Sequence, residues 1–143
     1  MLINTLTLGL LIGLIHFMVV GILYGNPFID RIYQSAQSTD PGVRKWTSKG
    51  KYLLFQFLGT QIEVFILALG FFWLRPVIPG SGVSGALPLA FLFAAIRVYP
   101  RFWNMWIQST YPNRLLMIEF INGTISTFTI VCGLQLLSGG VIQ

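Results

Sequence analysis

Glu63, Arg97, Arg101 and Glu119 stand inside stretches built otherwise from aliphatic, aromatic and small residues. A charge in such a setting costs about 2.5–3.5 kcal/mol on membrane-insertion scales, so each one needs a partner or a purpose. Their spacing supplies partners. Glu63 lies eleven residues after Tyr52, and Arg97 eleven after Ala86; at about 1.5 Å of rise per residue both reach roughly 16 Å into their helices. Opposite signs at one depth predict an ion pair. Arg101 and Asn104 follow Arg97 at i+4 and i+7 and share its face, while Glu119, Asn122 and Ser126 form a stripe on another segment. Arg101 with Glu119 is therefore the second expected pair. Gln56, Gly59 and Glu63 make a third stripe, with Thr60 and Gln61 beside it, and His16, eight residues before Tyr24, falls near the same depth as Glu63.

His16, Gln56, Gln61, Glu63, Arg97, Arg101, Asn104, Glu119 and Asn122 thus form a candidate intramembrane polar site. Three kinds of chemistry suit it. The ion pairs and amides can lock helices together, because lipid provides no hydrophobic drive between them. Alternatively, Arg97 and Arg101 hold a small anion, the glutamates compensate them and His16 titrates. Thirdly, Glu63 or Glu119 acts as general acid and base on a lipid. Tyr99-Pro100, between the two arginines, marks Pro100 as a candidate hinge, since proline removes a backbone bond and crowds the preceding turn.

Other sites are excluded or unsupported by residue type. One histidine rules out a two-histidine haem within the chain, and no lysine lies deep enough in a span for a retinal Schiff base. The single cysteine, Cys132, excludes an intrachain disulfide and a multi-thiolate metal site. There is no P-loop, no dinucleotide glycine fingerprint and no carboxylate–histidine cluster with metal spacing. No catalytic residue, metal or cofactor is expected.

The elements that must position these residues follow from composition. Of 143 residues, 55% are hydrophobic and 9% charged, against about 25% charged in a soluble domain, so the thirteen charges cannot cover a water-facing surface. A spanning helix needs about 20 mostly apolar residues. Four segments qualify, roughly 2–25, 52–75, 86–110 and 113–137. Solid apolar runs without alternation exclude a barrel. The expected fold is an all-α, polytopic four-transmembrane-helix bundle in a single domain, 1–143.

Between the first two helices, residues 26–51 contain the turn signals Asn26-Pro27 and Asp40-Pro41-Gly42. Phe28, Ile29, Ile32, Tyr33 and Ala36 recur between them at helical spacing, predicting a short interfacial helix. Pro76 to Gly85 reads as an uncharged loop, and Tyr111-Pro112 as a tight turn. The apolar start lacks a basic leader and a cleavage site, so it is read as a retained span. Five of the nine basic residues, Arg31, Arg44, Lys45, Lys49 and Lys51, crowd the first loop, and Arg101 and Arg114 flank the third connection. The positive-inside rule then makes the first loop cytoplasmic and both termini external. Trp46, Tyr52, Trp103, Trp106 and Tyr111 fall near one interface and Trp73 near the other, as an aromatic belt. Gly9 with Gly13, and Gly21 with Gly25, are small-xxx-small pairs suited to close helix contact.

Gly21-Ile-Leu-Tyr24-Gly-Asn-Pro27-Phe28 and Tyr111-Pro112-Asn-Arg-Leu115-Leu-Met-Ile118 resemble a family of small four-helix membrane proteins, common in bacteria and classified as a domain of unknown function. The resemblance spans nearly the whole chain in helix count and spacing. It implies the fold and no activity. The longer first loop and the Arg97, Arg101 pair depart from that pattern.

The expected function is that of a structural or accessory subunit of a membrane complex or homo-oligomer in a bacterial cytoplasmic membrane. The expected partners are the lipid bilayer and further copies or other membrane subunits, not nucleic acid. A channel or transporter with a polar cavity is the alternative, and an integral-membrane lipid enzyme the third reading.

Overall fold

The computed structural model describes residues 2–138. Among them the chain forms α1 (Leu2–Gly25), α2 (Pro27–Thr39), α3 (Lys49–Leu74), α4 (Gly82–Arg97), α5 (Tyr99–Gln108) and α6 (Asn113–Ser138), with a 3-10 turn at Arg75–Val77 and no strand. Four stretches, Thr5–Gly25, Lys49–Val77, Gly82–Gln108 and Asn113–Ser138, are long and apolar enough to cross a membrane. Leu10, Met18 and Ile22 on α1, Ile62, Ile66 and Trp73 on α3, Phe91 on α4 and Ile121 on α6 all face outward. An apolar outer face on every long helix is the reverse of a soluble bundle.

Side chains set how the helices meet. α1 lies between α3 and α6, and α4 packs on α6. Ala86, Ala90 and Ala94 recur every four residues along α4 and are buried, which lets two backbones approach closely. Phe71, Leu89, Ile130 and Leu134 complete the core with Ile12 and Val64. On α1, an added Cβ at Gly9 would meet the Phe65 ring, and one at Gly13 would collide with the Gln61 amide. Gly21 and Gly25 face open space instead, so of the two small-residue pairs on α1 only the first serves packing within the chain.

Caps and prolines place the breaks. The Asn26 side chain accepts from the Phe28 amide at 2.8 Å and Pro27 opens α2, where its missing N–H goes unneeded. Ile29, Ile32, Tyr33 and Ala36 turn their side of α2 toward the bundle, while Asp30, Arg31, Gln34 and Ser35 are exposed. Asp40 ends the helix, accepting the Gly42 amide at 2.7 Å, and Val43 beyond it is buried.

Residues 82–85 are helical, although their glycine and serine content reads as loop. Gly85 explains the difference: it is buried, and an added Cβ would meet the Gly80 carbonyl at 2.7 Å, so the first turn of α4 rests directly on the preceding backbone. Gly80 and Gly82 have φ of 113° and 57°, values that glycine adopts without strain. The third of the four long apolar stretches is divided at Val98. Pro100 has no N–H for the Ile96 carbonyl, yet Val98 still donates to Ala94 at 2.8 Å and Phe102 to Val98 at 2.9 Å. The rod is interrupted for one residue without being broken.

Candidate functional site

The structure brings Glu63 and Arg97 together from α3 and α4. The guanidinium is bidentate: Nε donates to one carboxylate oxygen and Nη2 to the other at 2.6 Å. Its third nitrogen turns to α6, donating to Thr127 Oγ1 at 2.6 Å, the Gly123 carbonyl at 3.2 Å and Ser126 Oγ at 3.4 Å. A forked contact of this type is the strong form of ion pair. Thr127 Oγ1 also donates back to the Gly123 carbonyl at 2.8 Å, the usual way a threonine is accommodated inside a helix. One arginine therefore ties α4 to both α3 and α6.

His16 adds α1 to the same layer, its Nε2 sharing a hydrogen bond with Ser126 Oγ. Both residues are almost fully buried. His16 Nδ1 and the Gln61 amide are buried without a protein partner, and Asn122 Nδ2 without a well-formed bond, each an arrangement that costs about 1–3 kcal/mol when nothing compensates.

Arg101 and Glu119 form the second pair at 2.8 Å, with Arg101 largely exposed at 66% and Glu119 at 18%. Two tyrosines converge on the other carboxylate oxygen, Tyr111 at 2.5 Å and Tyr33 at 3.3 Å. Burial, then the adjacent Glu119 charge, pushes the Tyr33 phenol well above its ordinary value. Burial and the hydrogen bond to Glu119 do the same for Tyr111. Phenols held neutral are donors, and Glu119 joins α6 to α2 and to the turn before it through them.

Two expected members lie elsewhere. Gln56 and Asn104 are exposed. Most of residues 49–59 in α3 are uncovered, so the Gln56 to Glu63 stripe is partly covered only at its far end. On α5, Phe102 faces Phe120 of α6 at a ring separation of 5.0 Å, and after the interruption at Val98 the Asn104 side points away. Pro100 sits in the first turn of α5.

Sequence reasoning missed several members. Thr127 has no charge or periodic partner to announce it, and Tyr33 and Tyr111 read as amphipathic and belt aromatics. Arg75 is the clearest case: at the opposite end of the bundle it donates to Gln135 Oε1 at 2.6 Å and to the carbonyls of Ile78 and Gly80 at 2.7 and 2.6 Å. It borders a cavity of about 380 Å³ with Phe72, Pro76, Gln135 and Ser138. Among the described residues no group of three histidine, cysteine or acidic side chains is placed to hold a metal ion.

This geometry joins helices: Arg97 and Arg101 each meet a glutamate, Arg75 meets three neutral acceptors, and the polar layer around Arg97 reaches all four long rods. No protein-family model, curated protein or solved structure matches the chain, so the resemblance in its short motifs is not carried into a family assignment.

Proposed function

We propose that the protein is a multi-pass membrane protein acting as a structural or accessory subunit of a membrane complex or homo-oligomer. In this reading its ion pairs hold the helices in register, α2 lies along the interface, and the first loop faces the cytoplasm of a bacterial cell with both termini outside. The observation that carries it is the engagement of all three Arg97 nitrogens. Both ends of its fork are committed to Glu63 and the third nitrogen to three acceptors on α6. Holding an anion there would require those bonds to be surrendered. Glu63 and Glu119, the acid and base of an enzymatic reading, are themselves engaged by arginines. With His16, Gln61, Asn122, Ser126 and Thr127 turned inward, the outward faces of α1, α3, α4 and α6 offer apolar surface to lipid and to neighbouring subunits.

The test is native mass spectrometry of the chain extracted from its own membrane in mild detergent. Other polypeptides at fixed ratio, or a defined homo-oligomer, are the expected results. A lone monomer, together with solute or proton flux in proteoliposomes that Arg97→Gln abolishes, would overturn the reading in favour of a permeation role.

A further inference from the structure

Three polar side chains in the interior take no part in joining charges. His16 Nδ1 and both polar atoms of the Gln61 amide meet no hydrogen-bonding partner in the protein, and Asn122 Nδ2 makes no well-formed bond although the Tyr24 hydroxyl lies beside it; the three residues are only 1%, 8% and 7% exposed. Their positions put them in a row. Gln61 of α3 lies against Gly13 of α1, and His16 is about one turn along α1 on the same face. His16 meets Ser126 of α6, and Asn122 is one turn from Ser126 toward Glu119. The row occupies successive levels between α1, α3 and α6. Beyond Gln61 the interior is aliphatic, sealed by Ile12, Val64, Ile130 and Leu134. At the Asn122 end the α6 stripe continues to Glu119, whose partner Arg101 is exposed.

We infer that these groups line a file of internal water molecules, open at the Glu119 end, that reaches His16 and stops at the aliphatic seal. The chemistry selects water. The unpartnered atoms are a mixture of neutral donors and acceptors, which is what a buried water needs for its two to four hydrogen bonds. An anion at the nearest cation would have to compete with a carboxylate already in place, because Arg97 is engaged by Glu63 and α6. Helix joining alone also leaves Gln61 unexplained, since an amide that bonds to nothing holds nothing, and leucine would fill its place against Gly13 without loss. The file brings proton exchange to the chain's one histidine while the ion pair beside it stays closed. It stands apart from the subunit reading, which rests on Arg97 and the outer faces.

Because His16 is the single histidine, its ring nitrogens are identifiable in ¹⁵N solid-state NMR of the full chain in phospholipid bilayers. Water-edited polarisation transfer should reach the His16 ring and the Gln61 side-chain amide early, and the Ile130 and Leu134 methyl groups late. Asn122→Leu, which closes the open end, should slow transfer to His16 severalfold while the Ile130 and Leu134 shifts stay at their wild-type positions. A wild-type His16 ring as slow as Leu134 overturns the inference, and that spectrum decides alone where Asn122→Leu does not fold. Undiminished transfer in a folded Asn122→Leu protein overturns it equally.

Discussion

At the scale of single residues, the two arginine–glutamate pairs differ in what they contribute. Arg97 is mostly enclosed and bidentate, and Glu63 is half-buried, so replacing Arg97 with glutamine leaves the Glu63 carboxylate without its counter-charge on an otherwise apolar helix. We expect Arg97→Gln to destabilise the bundle by about 2 kcal/mol, between the exposed and buried limits for ion pairs. Glu63→Gln with Arg97→Gln should recover much of that loss, because two neutral amides can bond to each other. Unfolding of purified protein in mixed micelles measures the cycle, and additive losses would count against the pairing. Arg101 is mostly exposed, so its pair with Glu119 is worth less than about 1 kcal/mol, and the tyrosines hold Glu119 more firmly. Tyr111→Phe should therefore cost more than Arg101→Gln, about 1–2 kcal/mol. The folded phenols titrate above the unfolded value of about 10. Their contribution is then fully present below that pH and lost as the pH rises through the folded values. The difference between wild type and Tyr111→Phe should be flat from pH 6 to 9 and shrink only in strong alkali; a difference that shrinks between pH 6 and 8 would contradict this. Both ion pairs were legible in the sequence, because depth along a helix is simple arithmetic once opposite charges stand in apolar runs. Thr127 and the tyrosines were not, because neutral side chains give no sign of which neighbour they will meet.

At the scale of elements, legibility ended where packing replaced pattern. The apolar runs forecast four long helices, but composition could not tell that Gly85 seats α4 on Gly80, extending it across a glycine-rich segment. Nor could a stripe drawn along α3 show that its first turns are covered only in part, by Trp46 and Phe17, which leaves Gln56 outside. The glycines of α1 separate the two levels well: both pairs fit the same motif, and only Gly9 and Gly13 touch α3. Gly13→Leu should force α1 from α3 and displace Gln61, destabilising by about 1–3 kcal/mol as overpacking does. Gly21→Ala meets nothing within 4 Å and should be neutral or stabilising by up to about 1 kcal/mol through helix propensity. Thermal denaturation of the two variants side by side makes the comparison. A severe loss in Gly21→Ala would mean that this face is covered by another subunit, an outcome that native mass spectrometry then resolves.

At the scale of the whole molecule, charge is distributed lengthwise. Arg31, Arg44, Lys45, Lys49, Lys51, Arg101 and Arg114 gather about the end where α2 and the α5–α6 turn lie, while Arg75 alone marks the other. The proposed orientation yields a direct expectation. In a Cys132→Ala background, a cysteine at Ser35 should resist a membrane-impermeant thiol reagent in intact cells and react after lysis. One at Ser81 should react in intact cells. The reverse pattern would invert the topology and leave the bundle unchanged.

The two ends also differ in how they accommodate added length. The first loop is an open surface around Arg44 and Lys45, both exposed, and a reporter peptide inserted after Lys45 should be carried without disturbing expression. At the other end one guanidinium grips two carbonyls two residues apart and a glutamine on α6 at the same time. The same reporter inserted after Pro79 would separate Ile78 from Gly80, force Arg75 to choose between them, and free Gln135. The corner behaves as a clasp of fixed circumference: apart from its glycines, the sequence between α3 and α4 can change its letters more readily than its length.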